Sequence, residues 1–463
     1  NMETLQRTAN RGSVSTGYDI DNSLKFEAAN NESLQRAAVT GNRRTFTQSC
    51  WLKRTSPGLI QQFICYGSFH HATRNYISTD DKLYVEISGT PNEQYQTVTN
   101  RLFRDPAAWY HIVVAIDTTQ ATESNRLKIY VNGVQETSFA SENIPAQNFD
   151  TLANIASSPG AVFGNMGIGA FPNASLNNRT NGYLAEAINV DGQALDPTSF
   201  GEVDSDSGIW KPIDVSGLTF GANGYYLDFK DSSNLGNDAS GGTDWTETNI
   251  AAKDQSTDTP TNNFCTLNPN VNFKYTTNGI FEGGTQYGNS TGGGKGGAFG
   301  TMAVTSGKWY WEVKLVQQVA HYIGVSAIDD GDNVLSTNDP EDVNSTFNFN
   351  ISAARIEYHE NGSKVNGSAD AFTDFHTAGD IIGIALNMDD NQISIYGNGT
   401  LQADVANTSL FDAANKMVVP FHATINDQVQ YNFGGYSAYT ESSPVSDENG
   451  YGTFEYAPPS GYY

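Results

Sequence analysis

Cations are scarce in this sequence, and so are cysteines and helical patterns. There are 25 Lys and Arg against 51 Asp and Glu, a formal net charge of −26. Such a surface repels phosphate backbones and anionic lipid, which argues against nucleic acid and membrane surfaces as partners. Cysteines number three, Cys50, Cys65 and Cys265, with no paired spacing, so no disulfide framework is expected. They are read as buried free thiols, the alternative being a Cys50–Cys65 bridge between neighbouring strands. No apolar run reaches membrane-spanning length, "HIVVAI" being typical of the longest. The opening "NMETLQRTANRGS" has no apolar signal-peptide core, and Asn1 precedes Met2, which leaves open whether this is the native beginning.

What the sequence does have is strands. The chain is 463 residues long, natural for two sandwich-type domains, and its 38% apolar content is enough to build cores. In "RLKIYVNG", Leu127, Ile129 and Val131 alternate with Arg126, Lys128 and Tyr130. "KWYWEVKL" sets Trp309, Trp311, Val313 and Leu315 against Lys308, Tyr310, Glu312 and Lys314. "DIIGIALNM" puts Ile382, Ile384, Leu386 and Met388 on one face. This period of two marks half-buried antiparallel strands. "WYHIVVAID" is apolar on both faces and is expected at the centre of a sheet. Only "SLFDAANKMV" (409–418) and "DPTSFGEV" (196–203) suit a turn or two of helix.

Two stretches resemble each other: "NRLKIYVNGVQETSF" (125–139) and "NQISIYGNGTLQADV" (391–405). Each runs into Asn-Gly, whose residues accept the positive φ that a tight hairpin turn demands. Asn132-Gly133 and Asn398-Gly399 are therefore predicted turns. Beyond this unit the halves do not align, so one device is used in two different domains. "AAKDQSTDTPTNNF" (251–264) is polar and contains Pro260, and is read as a linker. "GGTQYGNSTGGGKGGAFG" (283–300) is read as a long surface loop inside the second domain.

The first half, through "WYHIVVAIDTTQATESNRLKIYVNGVQ" and "GYLAEAINVDGQALDPTSFGE", resembles laminin-G-like, or concanavalin A-like, domains. "GNRRTFTQSCWLKR" and "GYYLDFKDSSNLGNDASGGTDW" extend that resemblance over roughly 20–250. The second half, through "SGKWYWEVKL", "YIGVSAID", "GDIIGIALNMDDNQISIYGNG" and "VVPFHATI", resembles a SPRY domain over roughly 265–440. The implied fold is all-β: two tandem antiparallel β-sandwiches, a concanavalin A-like jelly roll and then a SPRY-like sandwich. The expected division is 1–22 connecting segment, 23–250 first sandwich, 251–264 linker, 265–440 second sandwich and 441–463 C-terminal segment. This order is similar to that of a group of tailed-phage virion structural proteins, many from marine phages. In that group a closing Y-x-P-P-x-G-Y motif usually continues into more chain, so the native protein is expected to extend past "FEYAPPSGYY".

Concanavalin A-like folds include glucanases with strand-borne carboxylates. The nearest match is "GEVDSDSG", where alternation would place Glu202, Asp204 and Asp206 on one face. The stretch reads more simply as a solvated acidic turn. His70 and His71 are adjacent, point to opposite strand faces and are read as loop residues. No nucleophile-elbow motif anchors a Ser-His-Asp order. No cofactor is required; calcium is the one ion that the acidic loops are suited to hold, through Asp228, Asp231 and Asp238 or through Asp329, Asp330 and Asp332. The Asn-x-Ser/Thr sequons, Asn178 and Asn361 among them, are given no role in so Asn-rich a chain. Tyr76, Tyr95 and Trp245 lie in polar contexts and are candidate stacking surfaces for sugar rings, or else cover for a sandwich edge.

The resemblance therefore implies a non-enzymatic fibre or decoration protein on a virion surface. Its expected partners are other virion proteins, further copies of itself (a trimer favoured) and a host-surface glycan or protein. The alternatives are a purely structural decoration role and, more remotely, glycan hydrolysis.

Overall fold

A computed structural model describes residues 17–68, 71–89, 93–156, 165–172, 179–274, 279–288, 295–316, 321–328, 355–359, 362–365, 368–369, 377–406, 417–425 and 428–463. Among these residues the chain is all-β, and its helical elements are 3-10 turns of three residues. It divides into two compact units, Asn1–Asn263 and Phe264–Tyr463.

The first unit has two eight-stranded sheets. One runs Val134–Gln135, Leu127–Val131, Trp109–Asp117, Thr45–Arg54, Gly182–Asp191, Ser23–Phe26, Gln255–Ser256, with Tyr225–Leu227 pairing onto Gly182–Asp191 off that path. The other runs Phe139–Ser141, Gln94–Leu102, Lys82–Ser88, His71–Ile77, Gln61–Ser68, Asn165–Ile168, Ser33–Ala37, Thr246–Thr248. The strand that is apolar on both faces is central, as expected. Ile112, Val114 and Ile116 enter the inter-sheet core, while Val113 packs outward with Val190, Phe200, Val215 and Phe220. That outer cover comes from the excursion after Asp191. Of the short helix expected at 196–203, Pro197–Ser199 forms a 3-10 turn, begun by Asp196, whose side chain accepts from Thr198 N, while Gly201–Val203 is a strand.

The expected linker at 251–264 is instead folded into this unit as far as Asn263. Gln255–Ser256 pairs with Ser23–Leu24. Lys25 Nζ lies 2.9 Å from both Glu32 and Asp254, and Lys53 Nζ lies 2.6 Å from Asp258. Both lysines are fully buried. The segment is polar because its carboxylates neutralise buried cations, a complement that lies some 200 positions away in sequence.

The second unit has two seven-stranded sheets. One runs Leu267–Lys274, Lys295–Gly300, Met417–Ile425, His321–Ile328, Arg355–His359, Gly362–Val365, Ser368–Ala369. The other runs Ile280–Phe281, Gln286–Tyr287, Val429–Asn432, Lys308–Leu315, Ile381–Asn387, Gln392–Gly397, Thr400–Ala406. Trp311, Val313, Leu315, Ile382, Ile384 and Leu386 fill the core between them, on the faces that alternation assigns. The glycine-rich stretch expected as one loop carries strands at Gln286–Tyr287 and Lys295–Gly300. Glycine permits this because strand pairing needs only backbone. The helix expected at 409–418 lies outside the described residues, except for Met417 and Val418, which are in a strand.

The two hairpins are one physical device. Asn132 and Gly133 have φ of 49° and 77°; Asn398 and Gly399 have 47° and 77°. In the first, Asn132 N donates to His111 O at 2.9 Å and His111 N donates to Asn132 Oδ1 at 2.8 Å. In the second, Asn398 N donates to Ile381 O and Ile381 N to Asn398 Oδ1, both at 2.9 Å. Each asparagine thus turns its own hairpin and pins the preceding strand. Each glycine lies under an aromatic ring, where an added Cβ would sit 2.4 Å from Trp210 or 2.5 Å from Tyr456.

Candidate functional site

The outer face of the first unit's second sheet carries an ordered aromatic stack. Cross-strand register sets Arg74 beside Glu86 and Tyr76 beside Tyr84. On the alternate positions Val85, Ile77 and Leu83 enter the core, which turns the first four residues outward. Arg74 Nη2 donates to Glu86 Oε2 at 3.0 Å. The guanidinium lies 4.2 Å from the Tyr76 ring centre and 4.8 Å from that of Phe171. Tyr76 stacks on Tyr84 at 5.1 Å and 25°. Each such contact contributes roughly 0.5–1.5 kcal/mol. The result is a stack, Arg74, Tyr76, Tyr84, whose half-buried last ring is held in place, with its hydroxyl donating to Asp80 Oδ2 at 3.1 Å. Burial pushes the Tyr76 hydroxyl up to about 12. Chemically this is a rigid flat ring flanked by a carboxylate, suited to holding a ligand rather than to moving its protons.

Of the nominated aromatics, Tyr76 is the buried middle of this stack and not its surface. Tyr95 is half-buried, edge-on to Phe149 at 5.0 Å, and packs on the core. Trp245 belongs to the core, edge-on to Tyr225 at 4.9 Å, with Arg36 5.1 Å from its ring centre. None of the three stands free as a platform, because the apolar area of each is covered by its own domain. Tyr84 was missed; only its register opposite Tyr76 distinguishes it.

The nominated acids do not converge. Asp238 is buried, with Oδ2 2.7 Å from Arg36 Nη1 and Oδ1 accepting from Tyr226 N at 3.0 Å. Asp231 is exposed and accepts from Ser233 N and Oγ, hydrogen bonds that hold its carboxyl below the ordinary range. Asp228 accepts from Lys230 N at 3.2 Å. Among the described residues no three His, Cys, Asp or Glu side chains group as metal ligands. Asp329, Asp330 and Asp332 lie outside those residues, as does His70, while His71 begins the His71–Ile77 strand. Glu202 and Asp204 both face Lys211, at 3.4 and 3.2 Å, and Asp204 Oδ1 accepts from Asp206 N and Ser207 N. The strand ends at Val203, so the three acids close a turn instead of lining one face.

One pairing has the outline of a catalytic dyad: Ser49 Oγ lies 2.8 Å from His111 Nε2. Its tautomer is wrong for that task. Trp210 Nε1, which can only donate, lies 2.9 Å from His111 Nδ1, so the ring proton sits on Nε2 and points at the serine. Burial pulls the imidazole down to about 3, and Trp51 stacks on it at 4.5 Å. Cys50, Cys65 and Cys265 are free thiols.

In the second unit the buried carboxylate of Glu312 gathers donors. It accepts from Tyr439 OH at 2.7 Å, Glu455 N at 2.9 Å, Tyr456 N at 2.8 Å and Tyr310 OH at 3.2 Å. Phe454 and Tyr462 pack beside Tyr310 and Ala385. This seats the 441–463 segment on the outer face of the Lys308–Leu315 strand.

Residues 15–168 match the model of the concanavalin A-like lectin/glucanases superfamily, and residues 308–436 match the SPRY domain model. The chain thus carries a concanavalin A-like domain followed by a SPRY domain, as tandem β-sandwiches. No curated protein matches it. Among solved structures it is similar to the SPRY domain of human HERC1, at 21% identity over 36% of this chain and 96% of that one, TM-score 0.25. It is also similar to a candidate carbohydrate binding protein from Bacteroides ovatus, at 17% identity over 50% of this chain and 59% of that one, TM-score 0.35. A third is the heptameric SAP-like pentraxin of Limulus polyphemus, at 16% identity over 45% of this chain and 94% of that one, TM-score 0.30. At these levels the likenesses carry no functional argument.

Proposed function

We propose that this chain is a non-enzymatic binding protein of a virion surface, a fibre or decoration component that attaches to a host-surface glycan or protein. The observation that carries the reading is the Arg74–Tyr76–Tyr84 stack. It pre-pays the ordering of a flat ring on a sheet face, within a concanavalin A-like domain followed by a SPRY domain. The absence of catalysis is supported by the state of the acids and bases described. Glu202 and Asp204 are tied to Lys211, and His111 is fixed in an unreactive tautomer. Other virion proteins, further copies of the chain and a bridging calcium ion complete the proposed assembly.

The test is a host-cell pull-down with the purified chain, with and without a calcium chelator, comparing wild type with Tyr84→Ala. Binding should fall about tenfold in the variant, the effect of losing one central aromatic contact. No binding by wild type in either condition, well above micromolar concentration, would sink adhesion and leave a structural decoration role. Release of sugar that Glu202→Gln abolishes would overturn the non-enzymatic reading.

A further inference from the structure

Asparagine followed by glycine is a chemically fragile pair. The glycine amide nitrogen, with no Cβ beside it, is open to approach by the asparagine Cγ. Five such pairs lie among the described residues: Asn132-Gly133, Asn181-Gly182, Asn223-Gly224, Asn398-Gly399 and Asn449-Gly450. All five present the same attacking residue, so the fold decides how their fates differ.

Four of the five carboxamides are tied to other parts of the chain. Asn132 Oδ1 accepts from His111 N at 2.8 Å, and Asn181 Oδ1 from Ala28 N at 2.7 Å. Asn223 Oδ1 accepts from Val39 N at 3.0 Å, while its Nδ2 donates to Asn154 Oδ1 at 2.8 Å. Asn398 Oδ1 accepts from Ile381 N and its Nδ2 donates to Asp380 Oδ1, both at 2.9 Å. Each must break its tie before Cγ can swing onto the glycine nitrogen. Exposure by itself does not separate the five. Asn181 and Asn223 are buried, but Asn132 and Asn398 are exposed and held by their ties.

Asn449 differs. It is exposed, and its carboxamide makes no hydrogen bond; only its backbone N is held, donating to Asp447 Oδ1 at 2.8 Å. Gly450 is exposed too, at a φ of 82°, with open space where a Cβ would lie. Its N–H donates to Asp447 O at 3.0 Å, at the tip of the hairpin that Val445 and Phe454 close. A backbone bond at an exposed tip opens far more readily than one inside a sheet.

We infer that Asn449 is a site of spontaneous covalent modification, where loss of the carboxamide nitrogen gives aspartate or isoaspartate. Gly450 N gives up its proton to solvent, and its electron pair forms a bond to Asn449 Cγ. The Cγ–Nδ2 bond then breaks, and Nδ2 takes a proton back and leaves as ammonia. Water opens the resulting succinimide at either carbonyl. The balance is water in and ammonia out, with no oxidant, reductant or cofactor. Aspartate adds a negative charge beside Asp447 and Glu448. Isoaspartate also routes the main chain through the side-chain carbon, lengthening a tip whose Asn449 and Tyr451 amides both donate to Asp447 Oδ1. The segment whose Glu455 and Tyr456 amides grip Glu312 thus carries its own ageing mark.

The test is peptide mapping by mass spectrometry, with isoaspartate detection, on the full chain held at mildly alkaline pH, where the glycine amide loses its proton more often. Asn449 should convert about tenfold faster than any of the other four, the factor expected where one hydrogen bond must first break. The same incubation in denaturant should close that gap, because the ties are then gone. Asn449→Gln should remove the leading product and leave the other four peptides unchanged. Conversion of any of those four as fast as Asn449 in the folded chain would overturn the inference. So would a lead for Asn449 that persists undiminished in denaturant.

Discussion

In the first unit the closing segment, 251–263, is held by ion pairs: Asp254 on Lys25 and Asp258 on Lys53, all four side chains buried. In the second unit the polar anchor of the closing segment, 441–463, is one buried carboxylate, Glu312, which accepts from the N–H groups of Glu455 and Tyr456 and, from outside the segment, from the Tyr439 hydroxyl. Among the described residues no cation pairs with it. Both solutions bring polar chain onto a finished sandwich, but they differ in what their strength depends on. A buried ion pair needs both partners, because either alone is a charge out of water. A carboxylate gripped by neutral donors depends on its proton and on the direction of each N–H.

The comparison is broken most strongly at Lys53. Lys53→Met removes the cation that lies 2.6 Å from the buried Asp258, whose other oxygen accepts from Trp109 Nε1. The first unit should lose about 3–5 kcal/mol in denaturant unfolding, with the second unit's transition unchanged. Replacing Glu312 by Gln turns an amide N–H₂ toward a backbone N–H. The second unit should lose about 2–3 kcal/mol, and protease should cut 441–463 first. Burial raises the Glu312 carboxyl above 4.5, so its contribution is fullest below that value and declines as pH rises through the raised one. The glutamine variant should lose this dependence, read as the difference between the two chains' unfolding curves. The smallest effect tests sameness rather than difference. Asn132→Ala and Asn398→Ala each remove one accepted hydrogen bond and leave alanine at positive φ, and the second also removes an exposed donation to Asp380. Each should cost its own unit about 1–2 kcal/mol, and a discrepancy of more than about 1 kcal/mol would mean that the two turns are not one device.

Much of the fold was legible in the sequence. Leu127, Ile129 and Val131, and Trp311, Val313 and Leu315, point inward as their alternation says. The site was far less so. Tyr76 and Trp245 look exposed in their polar neighbourhoods, yet Tyr84 and Arg74 cover the first, and Tyr225 and Arg36 the second. The stretch 251–263 reads as a linker because its aspartates look solvated. Their cations sit on strands formed over 200 residues earlier.

What the sequence by itself determined is whatever depends on neighbours one to four positions apart: strand periodicity, the Asn-Gly turns with their positive φ, the scarcity of helix, the acidic surface. Those follow from backbone sterics and from the pleat, which act locally. What only the tertiary structure decided is which polar groups are buried and with whom. Glu186 meets Tyr18 across 168 residues and Tyr226 across 40, and Glu312 meets the N–H groups of Glu455 and Tyr456 across more than 140. Burial and hydrogen bonding set the protonation and rigidity of such groups, and both are properties of the packed neighbourhood that a residue's own chain segment does not contain.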